Sequence, residues 1–379
     1  MAIDGTVASG FERVRDVFEE NFDKRGEVGA SCALMVGDEL VVDLWGGVTE
    51  PGGAPYTDRT LQMVASATKG AMAICVLRLV DQGLVELDAP VAKYWEEFGA
   101  AGKDRVTVRE ALAHRAGVPC LDDPISLADV LTWDPVAEKV AAKTPEWEPG
   151  TDHGYHALTH GWLVGELIRR VTGTMPGDFL AEEVCRPLGL DLYVGLPASE
   201  VERVSPLVLP VPAAGATPDG FSVRMLTPGT LTFRSFFVAD GLFSWLNLPE
   251  MWQAQVPAGN GMGTARALAR MYAATIGEVD GIRLVDPDTL ADAVVPRSEG
   301  MDLVTGYETR YGTGFQLSFP FRPMSGPSAF GHYGLGGSVG FADRERGFSF
   351  GYAVNQMGPA TPADARSVAL VDAVLACLD

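Results

Sequence analysis

The chain is poor in basic charge, in histidine and in pairable cysteine, and it has no long apolar run. Its 29 lysines and arginines face 50 acidic residues, a formal net charge of −21. Such a surface repels polyphosphates and anionic headgroups, which argues against nucleic acid or a membrane surface as partner. The charge is spread along the chain and reads as a solubility feature. The five cysteines (Cys32, Cys75, Cys120, Cys185, Cys377) are odd in number and make no C-x-x-C pair. The first segment also lacks a basic-then-apolar export signal, so the cysteines are expected to be reduced thiols in the cytoplasm. No stretch reaches the roughly 18 apolar residues of a membrane-spanning helix. None of the five histidines belongs to an H-E-x-x-H pair.

What is there suits a folded catalyst. With 379 residues, 47% hydrophobic, the chain can form one large domain or two interlocked ones. The start, MAIDGTVASGFERVRDVFEENFDKRG (1–26), predicts an amphipathic helix, with Phe11, Val14, Val17, Phe18 and Phe22 on one side. SCALMVGDELVVDLWGG predicts two strands joined at Gly37–Asp38. From Thr60 to about Arg170 the pattern is helical. One helix ends at Gly83, and another starts near Tyr155 and stops at Gly173. Residues 195–235, rich in Pro, Gly and Val, read as a surface excursion. GTARALARMYAATIG is again helical. YGTGFQLSF, GSVGFAD and GFSFGYAVNQM read as strands, and Ala363–Leu378 as a closing helix. The expected architecture is therefore α/β (α+β). One sheet assembled from both termini (1–60 and 300–379) is expected, with a mostly helical part (61–299) inserted between them.

Four segments carry candidate chemistry. Ser66 is the one serine with a lysine three residues later, Lys69. On a helix, i and i+3 share a face, so hydroxyl and ammonium can meet. A lysine takes a serine's proton when desolvation lowers its pKa. The small apolar flanks of VASATKGAMA favour such burial, although the pair also fits an ordinary helix cap and a solvated charge. Gly336-Gly337-Ser338-Val339-Gly340 matches the G-x-S-x-G elbow, but a strand–turn–strand pattern follows, and no histidine stands after His332 to complete a triad. These glycines are expected where backbones approach closely. His153, His156 and His160 have a spacing that can grip zinc, or they are loop and cap residues. In the same stretch Tyr155 is either a proton-transfer group or a packing aromatic. Finally, Gly331-His332-Tyr333-Gly334-Leu335 is a glycine-rich turn able to offer an N–H to an oxyanion. His114 reads as structural.

Taken together, SATK (66–69), PGTDHGYHALTHGWLVGELIRRVTG (149–173) and GHYGLGG (331–337) resemble the serine β-lactamase and penicillin-binding-protein superfamily. The nearer likeness is to its class C-like branch, which includes the family VIII carboxylesterases. The resemblance spans nearly the whole chain, with the three motifs in order. It implies Ser66 as acylated nucleophile, Lys69 as its proton acceptor and Tyr155 as sharing the proton work. It further implies an oxyanion hole from the Ser66 and Leu335 N–H groups, and substrate contacts at His332, Tyr333 and Gly334. No metal or cofactor is implied. Ala157 stands where penicillin-recognising members carry asparagine, and His332 where they carry lysine. A small carboxylic ester is therefore the expected substrate, with acyl transfer, amide or weak β-lactam cleavage as alternatives of the same mechanism. Monomer and homo-oligomer both remain open.

Overall fold

The computed structural model describes residues 3–210, 219–238, 241–320, 323–358 and 363–378. Its first strands in chain order are β1 (Ile3–Val7), β2 (Gly29–Val36), β3 (Glu39–Gly47) and β4 (Leu61–Met63). Next come β5 (Leu192–Tyr193), β6 (Val204–Ser205), β7 (Met262–Gly263) and β8 (Ser298–Met301). The last are β9 (Glu308–Tyr311), β10 (Gln316–Leu317), β11 (Ala329–Tyr333), β12 (Val339–Asp343) and β13 (Phe348–Val354). Nine of these form one antiparallel sheet in the order β1-β3-β2-β13-β12-β11-β10-β9-β8. The two ends of the chain meet where β2 pairs with β13, Ala33 opposite Gly351. A smaller sheet, β5-β7-β4-β6, leads into the cleft.

Five longer helices matter for the site: α1 (Glu12–Lys24), α2 (Thr68–Asp81), α3 (Thr159–Thr172), α4 (Ala265–Ile276) and α5 (Ala365–Leu378). The period-2 alternation of the strands sorts the core into two layers. Cys32, Leu34, Phe341, Phe350 and Tyr352 point to one face, under α1 and α5 (Val14, Phe18, Leu370, Val374). The other face is lined by small residues, Ala33, Ala342 and Ala353, against α4. There Gly351 leaves room for the Ala265 carbonyl and Gly340 for the Tyr272 ring. Any side chain at those glycines would push α4 off the sheet.

The hairpin at Gly37, the helices over 12–24 and 265–276 and the closing helix follow the sequence pattern. Several details differ. A strand, β1, precedes α1; its Gly5 has φ +108° and lies against the Asp43 carbonyl, and a lone glycine in a short run hid the period. Tyr155 is not at a helix start, because α3 begins at Thr159. YGTGFQLSF is split, with β9 and β10 separated by Gly312–Phe315. The 195–235 segment is not all surface. Short helices cover Gly220–Leu226 and Leu231–Phe236, and Thr232 and Ser235 are fully buried. The remaining part of that segment, 211–218, falls outside the described residues. Among the described residues no helix is long and apolar enough to cross a membrane.

Candidate active site

Ser66 occupies a single 3₁₀ turn, Ala65–Ala67, which runs directly into α2. Two features hold this entry in place. Ala65 adopts φ +46°, a conformation that costs an L-residue energy and persists only where surroundings enforce it. The enforcement comes from Thr68, whose Oγ1 donates to the Ala65 carbonyl (2.6 Å) and accepts from the Gly261 N–H (2.9 Å). Across the cleft, Gly334 at the end of β11 lies against the Val64 carbonyl, an approach that a Cβ would block. The absence of that one carbon brings the 334–337 turn alongside the serine.

Lys69, one turn further along α2, is fully buried. Its Nζ donates to the carbonyls of Ala157 and Ala258, both at 2.7 Å, and lies 3.3 Å from Ser66 Oγ. It also sits 4.9 Å from the centre of the Tyr155 ring. No carboxylate among the described residues pairs with it, and desolvation holds its pKa well below the usual lysine range. Gly70 follows because the Tyr272 hydroxyl occupies the space a side chain would need.

Four of the five histidines contribute to this buried shell. His114, with φ +61°, packs its ring on Tyr155, His156, His160 and Tyr311 at 4.6–5.6 Å between centroids. His332 is 1% exposed and packs on the other side of Tyr155, at 6.1 Å. Burial holds His114 and His160 well below the usual imidazole range, with Lys69 and neighbouring imidazoles adding to the effect. His156 is lowered to about 4 by burial. The shell around Lys69 is thus built of neutral rings, which raises the cost of a charged ammonium.

The zinc arrangement does not form. His156 accepts the Val118 N–H at Nε2 (3.0 Å) and its Nδ1 donates to the Gly154 carbonyl (2.7 Å), so both nitrogens are committed to backbone. His153 turns instead to the Thr309 hydroxyl (3.0 Å). Ser338 is likewise no elbow. It is buried in the turn between β11 and β12, its Oγ accepts from the Val354 N–H (3.3 Å), and a strand follows it.

Of the other sequence-derived residues, Tyr155 is almost buried and stacks on Tyr311, the planes 9° apart. Its backbone N–H is held by Asp302 Oδ1 (3.1 Å), which also accepts from Val304 and Thr305. Ser66, Tyr155, Tyr333 and Leu335 line one cavity of about 360 Å³. His332 lines neither this cavity nor its neighbour, and its Nδ1 lies 2.7 Å from the Tyr333 carbonyl. The Tyr333 hydroxyl donates to the Pro323 carbonyl (2.7 Å), and the Gly334 N–H is used within the turn, on the Ser338 carbonyl. The N–H groups of Ser66 and Leu335 donate to no acceptor among the described residues. Of the bulky residues between 236 and 252, Phe236 lines both cavities, whereas Phe237, Trp245 and Trp252 line neither. Phe243 and Leu246 take that position instead. Asp302 and the carbonyls of Ala157 and Ala258 were not legible in the sequence. Backbone carbonyls carry no residue signature, and a lone aspartate just after a short strand looks like any turn residue.

An antiparallel sheet from both termini, with a serine and a lysine one helical turn apart at the cleft, defines the β-lactamase/transpeptidase-like class of hydrolases. The chain belongs to the β-lactamase family, whose model matches residues 14–375. It is 34% identical over 360 residues to the esterase/β-lactamase LipL of Mycobacterium tuberculosis, covering 93% of this chain and 83% of that one. Esterase EstB of Burkholderia gladioli is 26% identical over 422 residues, with 98% and 96% covered. A crystal structure of a family VIII carboxylesterase superposes over both full chains with a TM-score of 0.89 and 36% identity. A penicillin-binding-protein homologue from Caulobacter crescentus does so with 0.88 and 38%. The chain is a hydrolase of the carboxylesterase, β-lactamase-like type.

Proposed function

We propose that the protein cleaves small carboxylic esters through an acyl-enzyme on Ser66, with Lys69 and Tyr155 moving the protons. The observation that carries this reading is the environment of Lys69. A neutral amine has two N–H bonds and one lone pair. The Ala157 and Ala258 carbonyls take the two N–H bonds, which leaves the lone pair toward Ser66 Oγ at 3.3 Å. Burial without a counter-charge among the described residues lowers the lysine pKa and so favours that basic form. Ser66 Oγ attacks the ester carbon as its proton passes to Lys69. Tyr155 then protonates the departing alkoxide, and water reverses both steps. The N–H groups of Ser66 and Leu335 face the cleft and suit the oxyanion.

The substrate reading is an ester rather than a β-lactam. The position two residues after Tyr155 is Ala157, and among the described residues no amide side chain lines the cavity that Ala157 lines; the Gln316 amide lies in the adjoining one, with Tyr155. The compartment we infer is the cytoplasm, supported by five cysteines that form no disulfide among the described residues. The test is a pre-steady-state burst of p-nitrophenol from a short acyl ester, together with mass spectrometry after a fluorophosphonate probe. The burst and the adduct should both vanish in Ser66→Ala. An unchanged rate in that variant rejects the assignment, and nitrocefin turnover as fast as ester turnover rejects the substrate class.

A further inference from the structure

Two cavities meet at Ser66 and share Phe236 and Leu335 as a dividing wall. They differ sharply in chemistry. The first, about 530 Å³, is walled by Met63, Leu158, Leu207, Phe243, Leu246 and Met357. Apart from Ser66 itself, no hydroxyl, amide or charged side chain among the described residues lines it. The second, about 360 Å³, is lined by Tyr155, Phe221, Tyr307, Tyr311, Thr305 and Gln316. It is a box of aromatic rings with polar tips. Phe221 meets Phe236 and Tyr307 edge-on at 5.4 and 5.8 Å, and Tyr155 lies parallel to Tyr311.

An ester whose carbonyl carbon sits at Ser66 must send its acyl chain one way and its alkoxy group the other. The direction follows from the proton. When the carbon–alkoxy bond breaks, the leaving oxygen needs a donor within reach. Tyr155 lines only the aromatic cavity. The bond from Ser66 Oγ to the carbonyl carbon forms, the alkoxy bond breaks, the serine proton passes to Lys69, and Tyr155 gives its own proton to the released alcohol. Water then delivers hydroxide to the acyl carbon and its proton to Tyr155, while Lys69 returns its proton to Ser66 as the acyl bond breaks. Through both steps the acyl chain stays in the apolar cavity.

We propose that the cleft is partitioned into an apolar acyl chamber and an aromatic alcohol chamber, and that the substrates are esters of aliphatic acids with aromatic alcohols. This rests on the esterase reading of Ser66. An aliphatic chain desolvates without loss in the first chamber, where a polar acyl group would leave its hydrogen bonds unmade. A planar alcohol is matched by rings in the second.

The test compares acetate, butyrate, hexanoate and octanoate esters of phenol and of ethanol on wild type, Leu246→Trp and Tyr307→Ala. In wild type, kcat/KM should climb about fourfold for each methylene buried until the chamber is filled. Phenyl esters should exceed ethyl esters at every acyl length. Leu246→Trp should move the optimum to acetate while keeping the phenyl-over-ethyl ratio. Tyr307→Ala should lower that ratio while keeping the acyl profile. If Leu246→Trp changes the alcohol ratio and not the acyl profile, the chambers are reversed and the proposal fails. A flat acyl profile in wild type also overturns it, because wild-type data do not depend on any variant folding. Met357→Phe gives a second filling of the acyl chamber should Leu246→Trp misfold. A flat profile with activity still abolished by Ser66→Ala rejects the partition alone; activity surviving Ser66→Ala rejects the esterase reading itself.

Discussion

Lys69 Nζ lies closer to the Ala157 carbonyl, at 2.7 Å, than to the Ser66 hydroxyl, at 3.3 Å. The carbonyls aim the amine, and the proposed mechanism leaves its lone pair to the serine. Replacing Lys69 with Ala should reduce kcat by about 10²–10⁴-fold, the usual worth of a general base. Lys69→Arg should not rescue, since a guanidinium stays protonated and is longer. The buried amine's pKa is depressed, so it is neutral above a value well under the ordinary lysine range. In wild type kcat/KM should therefore rise with pH through that value and level off well before pH 10. A rise centred near the ordinary lysine value would contradict the burial argument.

Gly334 makes a second, geometric prediction. A methyl at this position meets the Val64 carbonyl, so Gly334→Ala must move the 334–337 turn away from the serine. Misplacement by about 1 Å costs on the order of 100-fold in kcat. The fold should persist, because the rest of β11 remains paired. Circular dichroism unchanged alongside a collapsed kcat is the expected combination, and wild-type turnover would refute the close-approach argument.

The imidazole shell sets acid stability. His156 is fully buried and its pKa falls from 6.5 to about 4 in the folded protein. As pH drops through 6.5, the unfolded chain binds this proton first, so stability is lost from there down to about 4 and is flat above. The span corresponds to roughly 3 kcal/mol, and His114 and His160 add in the same direction. Urea midpoints measured from pH 7.5 to 4 should fall along that course. In His156→Gln the slope should be shallower by up to one proton.

A buried ion cluster supports the same turn from below. Arg366 in α5 donates to Glu27 Oε1 (3.0 Å), to Asp364 Oδ2 (2.6 Å) and to the Gly336 carbonyl (3.0 Å). Burial pushes the Glu27 carboxyl up to about 7 despite the pull of Arg366. Arg366→Met strands two buried carboxyls and should cost about 3–5 kcal/mol in urea unfolding. Adding Glu27→Gln to that variant should recover part of the loss. If the two costs simply add, the pair is not coupled.

Local signals were legible where one segment could satisfy its own needs. The apolar stripe of 12–24, the glycine at the 36–39 hairpin and the small residues around Lys69 each report a period or a backbone conformation. Ser66 and Lys69 lie three apart, so the helix alone brings them to one face. Tyr155 showed only as one tyrosine in a motif, and its place beside Lys69 depends on Asp302 holding its backbone 147 residues away.

The sequence by itself determined the sheet from two termini and the helix that carries Lys69 just after Ser66, because strand alternation and helical spacing are properties of contiguous residues. Only the tertiary structure decided that Lys69 is buried against Ser66 on two backbone carbonyls, that four histidines pack around it, and that two unlike cavities meet at Ser66. Those depend on desolvation and on backbone carbonyls, which come from distant segments and leave no mark in side-chain identity.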